Sequence, residues 1–408
     1  MAATHSPVDN RLVSIDVLRG CAALGVLLSH SFPHELTYLA SQAPWFGYLG
    51  AVLSRGTLGV PLFFVISGFC IHLRWADRYG RTGQVKLDYV AFWKRRIYRL
   101  YPPYFIVLCF CMLMVVVAYL FGRANYYPEP RLQWIGIDFV AHVFMLHGFH
   151  PWLDFGGNNP PMWTLAREEY FYVMYFGLLA WRRTWGLIST TVGVLVLGLT
   201  FPVVMRLFVP DGSPYWNTIY TSALVLWIQW VLGMVAVESY YGVIKLPRWC
   251  RAAWMVPVWF IAGEISRIYI PVLSVIFWGM TFFTLLNFCV DSEKIHHWAS
   301  HKITVWLANV GLFSYSIYLI HYPVHMLIRE TSSVIARPPN VWIALIVMAL
   351  KIVVGFYVAK LFFNLVERRF LNKPVRFRSV KTDSPGGGVS KHSEPLAQPN
   401  NSFNPTPQ

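Results

Sequence analysis

The chain is short of charge. Only 13% of its 408 residues are Asp, Glu, Lys or Arg, about half the share of ~25% found in ordinary soluble domains. A soluble molecule of this size could not cover its surface with so few charges, whereas lipid asks for none. Acidic residues are scarcest: 19 Asp and Glu stand against 34 Lys and Arg, a formal net charge of +15. Such an excess can mark a nucleic-acid footprint. Here the basic residues form no single stripe and cluster between apolar spans, as the positive-inside rule asks of a membrane protein, so no nucleic-acid partner is expected. The six cysteines (Cys21, Cys70, Cys109, Cys111, Cys250 and Cys289) sit mostly within apolar runs and show no CxxC or finger-like spacing. They read as buried thiols. No HExxH occurs, and the His296–His297 doublet lies in a polar segment, so no metal site is expected. A GxxxxGK[ST] loop and a GxSxG elbow are missing too, which removes the marks of an ATP-driven pump and of a standard serine hydrolase. No internal repeat is present, and the first apolar run carries Asp16, Arg19 and His30 where a signal peptide would carry a cleavage site.

What the chain has instead is apolar length. Hydrophobic residues make up 56% and aromatics 17%. Runs of about 20 apolar residues fall at 15–34, 57–74, 97–121, 163–181, 186–208, 218–238, 252–268, 270–290, 304–327 and 341–364. The expected fold is therefore all-α: a polytopic integral membrane bundle of about ten transmembrane helices. Residues 1–378 form the transmembrane domain. Residues 379–408, rich in Pro, Gly, Ser and Asn, form a disordered cytoplasmic tail. With the N-terminus inside, Arg74, Arg78, Arg81, Lys86, Lys94, Arg95, Arg96 and Arg99 fall in one inner segment, and the basic residues from Arg368 to Lys391 in another. The outer segments keep scattered arginines such as Arg55, Arg123, Arg131 and Arg206. Both termini are thus expected in the cytoplasm. The outer segment 122–162 is apolar in part but interrupted by Asp138, His142 and His147. It reads as an interfacial or re-entrant helix lining a cavity rather than an eleventh span.

Ionisable groups inside apolar spans are costly and mark function by default. Asp16, Arg19 and His30 share the first span. Asp16 and Arg19 are i, i+3 and suit an ion pair. His30 lies about 16 Å from Arg19 along a helix, half a bilayer core away, and a neutral imidazole there can act as general base or nucleophile. In "FWKRRIYRLYPPYF" (92–105), Arg96 and Arg99 are also i, i+3 and suit either a positive-inside anchor or a bidentate grip on phosphate. In "MWTLAREEYFYVMYF" (162–176), Glu168 and Glu169 point to different faces of a helix, so at most one faces the interior, where it can orient an imidazole or a hydroxyl. In "GLFSYSIYLIHYPVH" (311–325), Ser314, Tyr315, Tyr318 and His321 form a polar stripe that suits inter-helix hydrogen bonding. Glu264 and Arg267 read as a paired couple, and Lys351 as the partner of a buried acid.

Taken in this order, these blocks resemble the membrane-bound acyltransferase-3 family of bacteria. "IDVLRG" followed by His30 is similar to its first-helix signature. "GVPLFFVISGF" resembles the second helix, with Ser67, Gly68 and Phe69 as its SGF. "RRIYRLYP" resembles the Arg-x-x-Arg motif through Arg96 and Arg99, and "WTLAREEYFY" the Trp-Ser/Thr-Leu-x-x-Glu block through Trp163, Thr164, Leu165 and Glu168. "SYSIYLIHYPV" resembles the ninth-helix block. The likeness runs over about residues 12 to 370; Arg167 departs from it, standing where the family usually has a small or apolar residue.

The resemblance implies a ten-helix O-acyltransferase of the bacterial inner membrane. Such an enzyme moves an acyl group, most often acetyl, from cytoplasmic acyl-CoA to a hydroxyl of a carbohydrate or glycolipid. The donor is a substrate, acetyl-CoA; no bound cofactor is implied. His30 and Glu168 would be catalytic, with Glu168 orienting the imidazole or the acceptor. Arg19, Arg96 and Arg99 would bind acyl-CoA. Asp16, Ser67, Trp163, Thr164, Tyr315, Tyr318 and His321 would support the pocket, and the outer stretch 147–163 would meet sugar. The short tail is expected to carry no fused SGNH-type domain and hence no two-step relay within one polypeptide. General-base and acyl-histidine routes both stay open, as does self-association into a homo-oligomer. The rival readings are a glycolipid or small-molecule transporter, which apolar bundles with buried charges also suit, and a non-catalytic membrane scaffold, which would not need His30, Arg96 or Arg99.

Overall fold

A computed structural model describes residues 12–121, 132–154, 157, 159–295, 301–335 and 341–371. Among them no strand occurs. The helices are α1 (Val13–Ser31), α2 (Pro33–Gln42), α3 (Trp45–Ser54), α4 (Gly59–Thr82), α5 (Tyr89–Leu120), α6 (Leu132–Val143), α7 (Pro151–Asp154), α8 (Trp163–Met205), α9 (Tyr215–Tyr220), α10 (Ala223–Tyr240), α11 (Met255–Tyr269), α12 (Pro271–Ile295), α13 (Lys302–Leu312), α14 (Ser314–Ile335) and α15 (Val341–Leu365). The tail expected to be disordered lies outside the described residues.

Seven of these helical stretches are long and apolar enough to cross a membrane, or up to eight if the bent pair α13–α14 counts as one span. Their exposed faces are what lipid requires. On α5, Ile106, Phe110, Leu113 and Val117 are exposed; on α15, Ile346, Leu350, Val353, Tyr357 and Leu361. Each set steps by three or four residues, so each is one continuous apolar stripe. In water such stripes would be buried. The chain is a multi-pass helical membrane protein.

Local sequence sets the helix ends and breaks. Asp88 caps α5, its carboxylate accepting from the amide of Ala91 at 3.0 Å. Gly83 closes α4 with φ 68°. The helix α8 holds 43 residues, about 64 Å at ~1.5 Å per residue, twice a bilayer core. It is broken at Gly186, whose φ of 81° and ψ of 170° form a conformation open only to glycine. The span expected over 304–327 is present as a bent pair: α13 and α14 meet at 71°. Irregular backbone at membrane depth persists where it lines a cavity, and Gly311, Leu312, Ser314 and Tyr315 do line one.

Close helix contacts rest on glycine. A Cβ on Gly68 of α4 would collide with the carbonyl of Trp230 on α10, and one on Gly233 of α10 with the carbonyl of Val65 on α4. In the same way Gly311 of α13 abuts the Asp16 carbonyl of α1. Without a hydrophobic drive between helices in lipid, close backbone approach of this kind carries association. Most charges buried in the bundle are paired. Glu238 accepts from Arg182 at 2.8 Å and sits 3.0 Å from His72, and Lys351 meets Glu35 at 2.6 Å, the buried acid expected for it. Glu264, expected with Arg267, lies 3.6 Å from it but makes its closer pair with Arg55, at 2.7 Å.

The outer segment folds as α6, a single turn over His147–Phe149, and α7. With 12 residues, about 18 Å, α6 is too short to cross. Asp138, His142 and His147 are fully buried there, the two imidazoles stacked at 3.8 Å.

Candidate active site

Among the described residues, two cavities in the bundle hold the site residues expected from the sequence. The first, with about 1100 Å³ of open space, is walled by α1, α4, α5, α8 and the α13–α14 break. It gathers Asp16, Arg19, Ser67, Arg96, Arg99, Thr164, Glu168, Tyr315 and Tyr318, residues far apart in the chain. Glu168 accepts hydrogen bonds from the hydroxyls of Ser67 and Tyr172. Ser67 in turn accepts from the indole N–H of Trp230 at 3.3 Å. Arg96 lies over the rings of Tyr172 (5.4 Å) and Phe92 (5.7 Å), and Tyr315 ties the α14 end to α5 by donating to the Leu100 carbonyl at 2.9 Å. The pair of Arg19 and Asp16 is loose, at 3.8 Å; Arg19 also reaches the Cys70 sulfur at 3.4 Å.

The second cavity, about 990 Å³, is lined by His30, Thr57, Pro160, Pro161, Trp163, Gln229 and Trp278. Val60, Phe64 and Tyr318 line both cavities and so form the wall between them. Tyr318 is held there by donating to the Pro161 carbonyl at 2.8 Å, with the Thr164 hydroxyl beside it at 2.5 Å.

His30 is the penultimate residue of α1. Its Nδ1 sits 2.9 Å from the Val26 carbonyl. A carbonyl can only accept, so Nδ1 carries the proton and Nε2 the lone pair. His321 repeats the arrangement, with Nδ1 2.8 Å from the Ile317 carbonyl and, among the described residues, no partner for Nε2. The two rings lie 5.2 Å apart, and His325 continues the row, 5.7 Å beyond His321. Half-buried, with an unprotonated nitrogen, His30 has the form of a general base or a nucleophile.

This geometry narrows one sequence expectation, that Glu168 orients the imidazole or the acceptor. Glu168 does not orient His30; it faces the arginine cavity, and among the described residues its hydrogen-bond partners are hydroxyls. The backbone carbonyl of Val26 and the ring of His321 take that place. His321 therefore belongs to the His30 side, and Trp163 likewise, whereas Thr164 one residue later lines the arginine side. Successive helical residues point about 100° apart, and so they part here.

Sequence reasoning missed Tyr172, which is i+4 from Glu168 and could have been found by that spacing. It also missed Glu367, which lies just past α15, lines the arginine cavity and accepts from Ser316; nothing local marks it. In the sequence Arg167 is one of three adjacent charges at the outer end of a span. It is fully buried, bonded to both oxygens of Asp154 (2.9 and 2.8 Å) and to the carbonyls of Gly148 (3.0 Å) and Thr221 (2.7 Å). It fastens the outer segment to Thr221, which lines the second cavity. Of the stretch expected to meet sugar, Pro160, Pro161 and Trp163 do reach that cavity, while the Asp154 carboxylate is consumed by Arg167. Among the described residues no three His, Cys, Asp or Glu side chains are placed to hold a metal ion.

The fold and site thus define a helical membrane protein with a guanidinium- and carboxylate-lined cavity on one side of a tyrosine wall and the His30 imidazole on the other. The chain belongs to the acyltransferase-3 family: the family model described as "Acyltransferase domain" matches residues 12–360. It is similar to the O-acetyltransferase OatA of Staphylococcus aureus, 24% identical over 342 residues, which cover 78% of this chain and 51% of that protein. It is also similar to the peptidoglycan O-acetyltransferase OatA of Listeria monocytogenes, 26% identical over 391 residues, covering 89% and 55%. The chain thus spans about half the length of the curated relatives it matches. No solved structure matches it.

Proposed function

We propose that the protein is a membrane O-acyltransferase. It moves an acyl group, acetyl by preference, from acyl-CoA on the cytoplasmic side to a hydroxyl of a carbohydrate or glycolipid at the outer side of the bacterial inner membrane. Family membership supports the reaction class. The observation that carries the mechanism is the pair of cavities sharing Tyr318, one with Arg19, Arg96 and Arg99, the other with His30.

In this reading acyl-CoA enters the arginine cavity and its thioester arm threads past Tyr318 toward Nε2 of His30. The acceptor hydroxyl lies in the second cavity, against Trp163 and Trp278, with the unpartnered Gln229 Oε1 available to accept from a neighbouring hydroxyl. Nε2 takes the hydroxyl proton as the oxygen attacks the thioester carbonyl. A C–O bond forms, the C–S bond breaks, and the departing thiolate recovers a proton as CoA-SH. The acyl-histidine alternative splits the same balance into two transfers through Nε2. Glu168, fixed by two hydroxyls, positions the donor arm rather than the base.

The same reading sets the topology. Gly186 divides α8 into two crossings, and α13–α14 supplies one. The 15-residue α11 adds a tenth to α1, α4, α5, α10, α12 and α15. An even count returns both termini to the cytoplasm, where the basic segments lie.

Inverted membrane vesicles with radiolabelled acetyl-CoA test the proposal. Wild type should release CoA and pass label to a glycan or lipid fraction. His30→Ala should lower transfer by about 10²–10⁴-fold at unchanged thermal stability. Equal transfer by both proteins would remove His30 from the chemistry. Solute flux without CoA release would instead support the transporter reading.

A further inference from the structure

The arginine cavity is closer to neutral than its arginines suggest. Three guanidiniums line it, from Arg19, Arg96 and Arg99, and so do three carboxylates, from Asp16, Glu168 and Glu367. The uncompensated charge lies elsewhere. On α4, Ser67 and Cys70 line the cavity; Arg74 and Arg78 follow Cys70 at i+4 and i+8, so the same face of the helix continues as arginine, one turn (about 6 Å) and two turns further out. On α5, Arg95 stands one turn out from Arg99. Arg74 and Arg78, toward the C-terminal end of α4, and Arg95, near the start of α5, therefore stand at the same end of the cavity, with only residues 83–88 between the two helices. Arg74 and Arg78 are exposed and Arg95 half-buried, and among the described residues none of them makes an ion pair. The carboxylate of Asp88, at the start of the same helix, is already used in capping α5. By contrast Arg81, one turn from Asp77 on the same helix, is paired. Like charges crowded without counter-charge repel one another, and the arrangement is relieved by a bound polyanion.

We propose that Arg74, Arg78 and Arg95 form a phosphate-ester subsite at the rim, outside the chamber itself. Resting on the acyltransferase reading, this places the nucleotide phosphates of the donor at the rim and leaves the balanced interior to its uncharged thioester arm. Phospholipid headgroups offer the same chemistry, so the test separates the two sources.

The test uses the full chain in nanodiscs of phosphatidylcholine, with adenosine 3′,5′-bisphosphate as the probe and adenosine as the phosphate-free control. The bisphosphate should bind wild type and adenosine should not. The double variant Arg74→Gln/Arg95→Gln should bind it about 100-fold more weakly, about tenfold for each charged contact removed. The matched Lys variant should recover most of the affinity, and Arg81→Gln should match wild type. Binding that is equal in wild type and the Gln variant, or absent from both, overturns a nucleotide subsite. If the variant loses only its retention of phosphatidylglycerol from mixed nanodiscs, the phosphates belong to lipid. The probe has no thioester, so the two readings fail separately. Bisphosphate binding without acetyl transfer sinks the enzymatic reading alone, and transfer without bisphosphate binding sinks the rim site alone.

Discussion

At the scale of single residues, the expensive side chains divide into those that are used up by partners and those that are not. Arg167 and Asp154 are 0% and 1% exposed and satisfy one another with two hydrogen bonds. Removing one partner strands the other charge in a dry site. Arg167→Ala should therefore lower stability by about 3–5 kcal/mol, read as earlier thermal unfolding in detergent. Lys351 and Glu35 allow a cleaner version. Lys351→Met alone should cost a similar amount, and adding Glu35→Gln should restore most of it, because two neutral groups leave no orphaned charge. A double variant as unstable as the single one would show that the lysine contributes through its packing. His30 and His321 are the opposite case: among the described residues each keeps an imidazole nitrogen without a hydrogen-bond partner. Groups left unsatisfied at this cost are where chemistry is expected.

At the scale of elements, glycines decide how close the helices come and where they turn. Gly68→Val should abolish the α4–α10 contact, since its side chain would enter the Trp230 backbone. The folded yield of that variant in mild detergent should fall sharply, whereas Gly177→Ala, with open space around it, should leave the yield unchanged. Gly186→Ala acts through backbone conformation instead. The residue would be forced into a region closed to L side chains, at a cost of about 1–3 kcal/mol, measured again as a lowered unfolding midpoint. The break between α13 and α14 has a different consequence. It opens the wall of the arginine cavity and delivers Ser314 and Tyr315 to it, which an unbroken helix over 304–327 would not do.

At the scale of the whole molecule, the proposed ten-crossing topology makes a prediction of its own. Arg78 and Arg81 should share a side with Lys245 and Arg248, and Thr57 should face the other. Single cysteines placed at these positions in a background without native cysteine, labelled by an impermeant maleimide in intact cells and in inverted vesicles, should react in two complementary sets. Labelling of position 57 together with 78 would break the proposed crossing pattern.

Membrane residence, all-helical class and most helix positions were legible in the sequence, because lipid enforces long apolar runs and internally bonded backbone whatever the tertiary arrangement. The break of α8 near 186 was legible as a gap between two runs for the same reason. His30, Arg96, Arg99 and Glu168 were legible as costly residues in apolar surroundings. Their relations to one another were not. Which carboxylate faces which base depends on how helices rotate and cross, and no spacing along one helix records that. Hence Glu168 turned out to serve the arginine cavity, His321 to stand beside His30, and Glu367, unremarkable in the chain, to line the site. The sequence by itself determined which residues are too costly to be idle; only packing, by closing backbones on glycine and fastening Arg167 to Asp154, decided which of them meet.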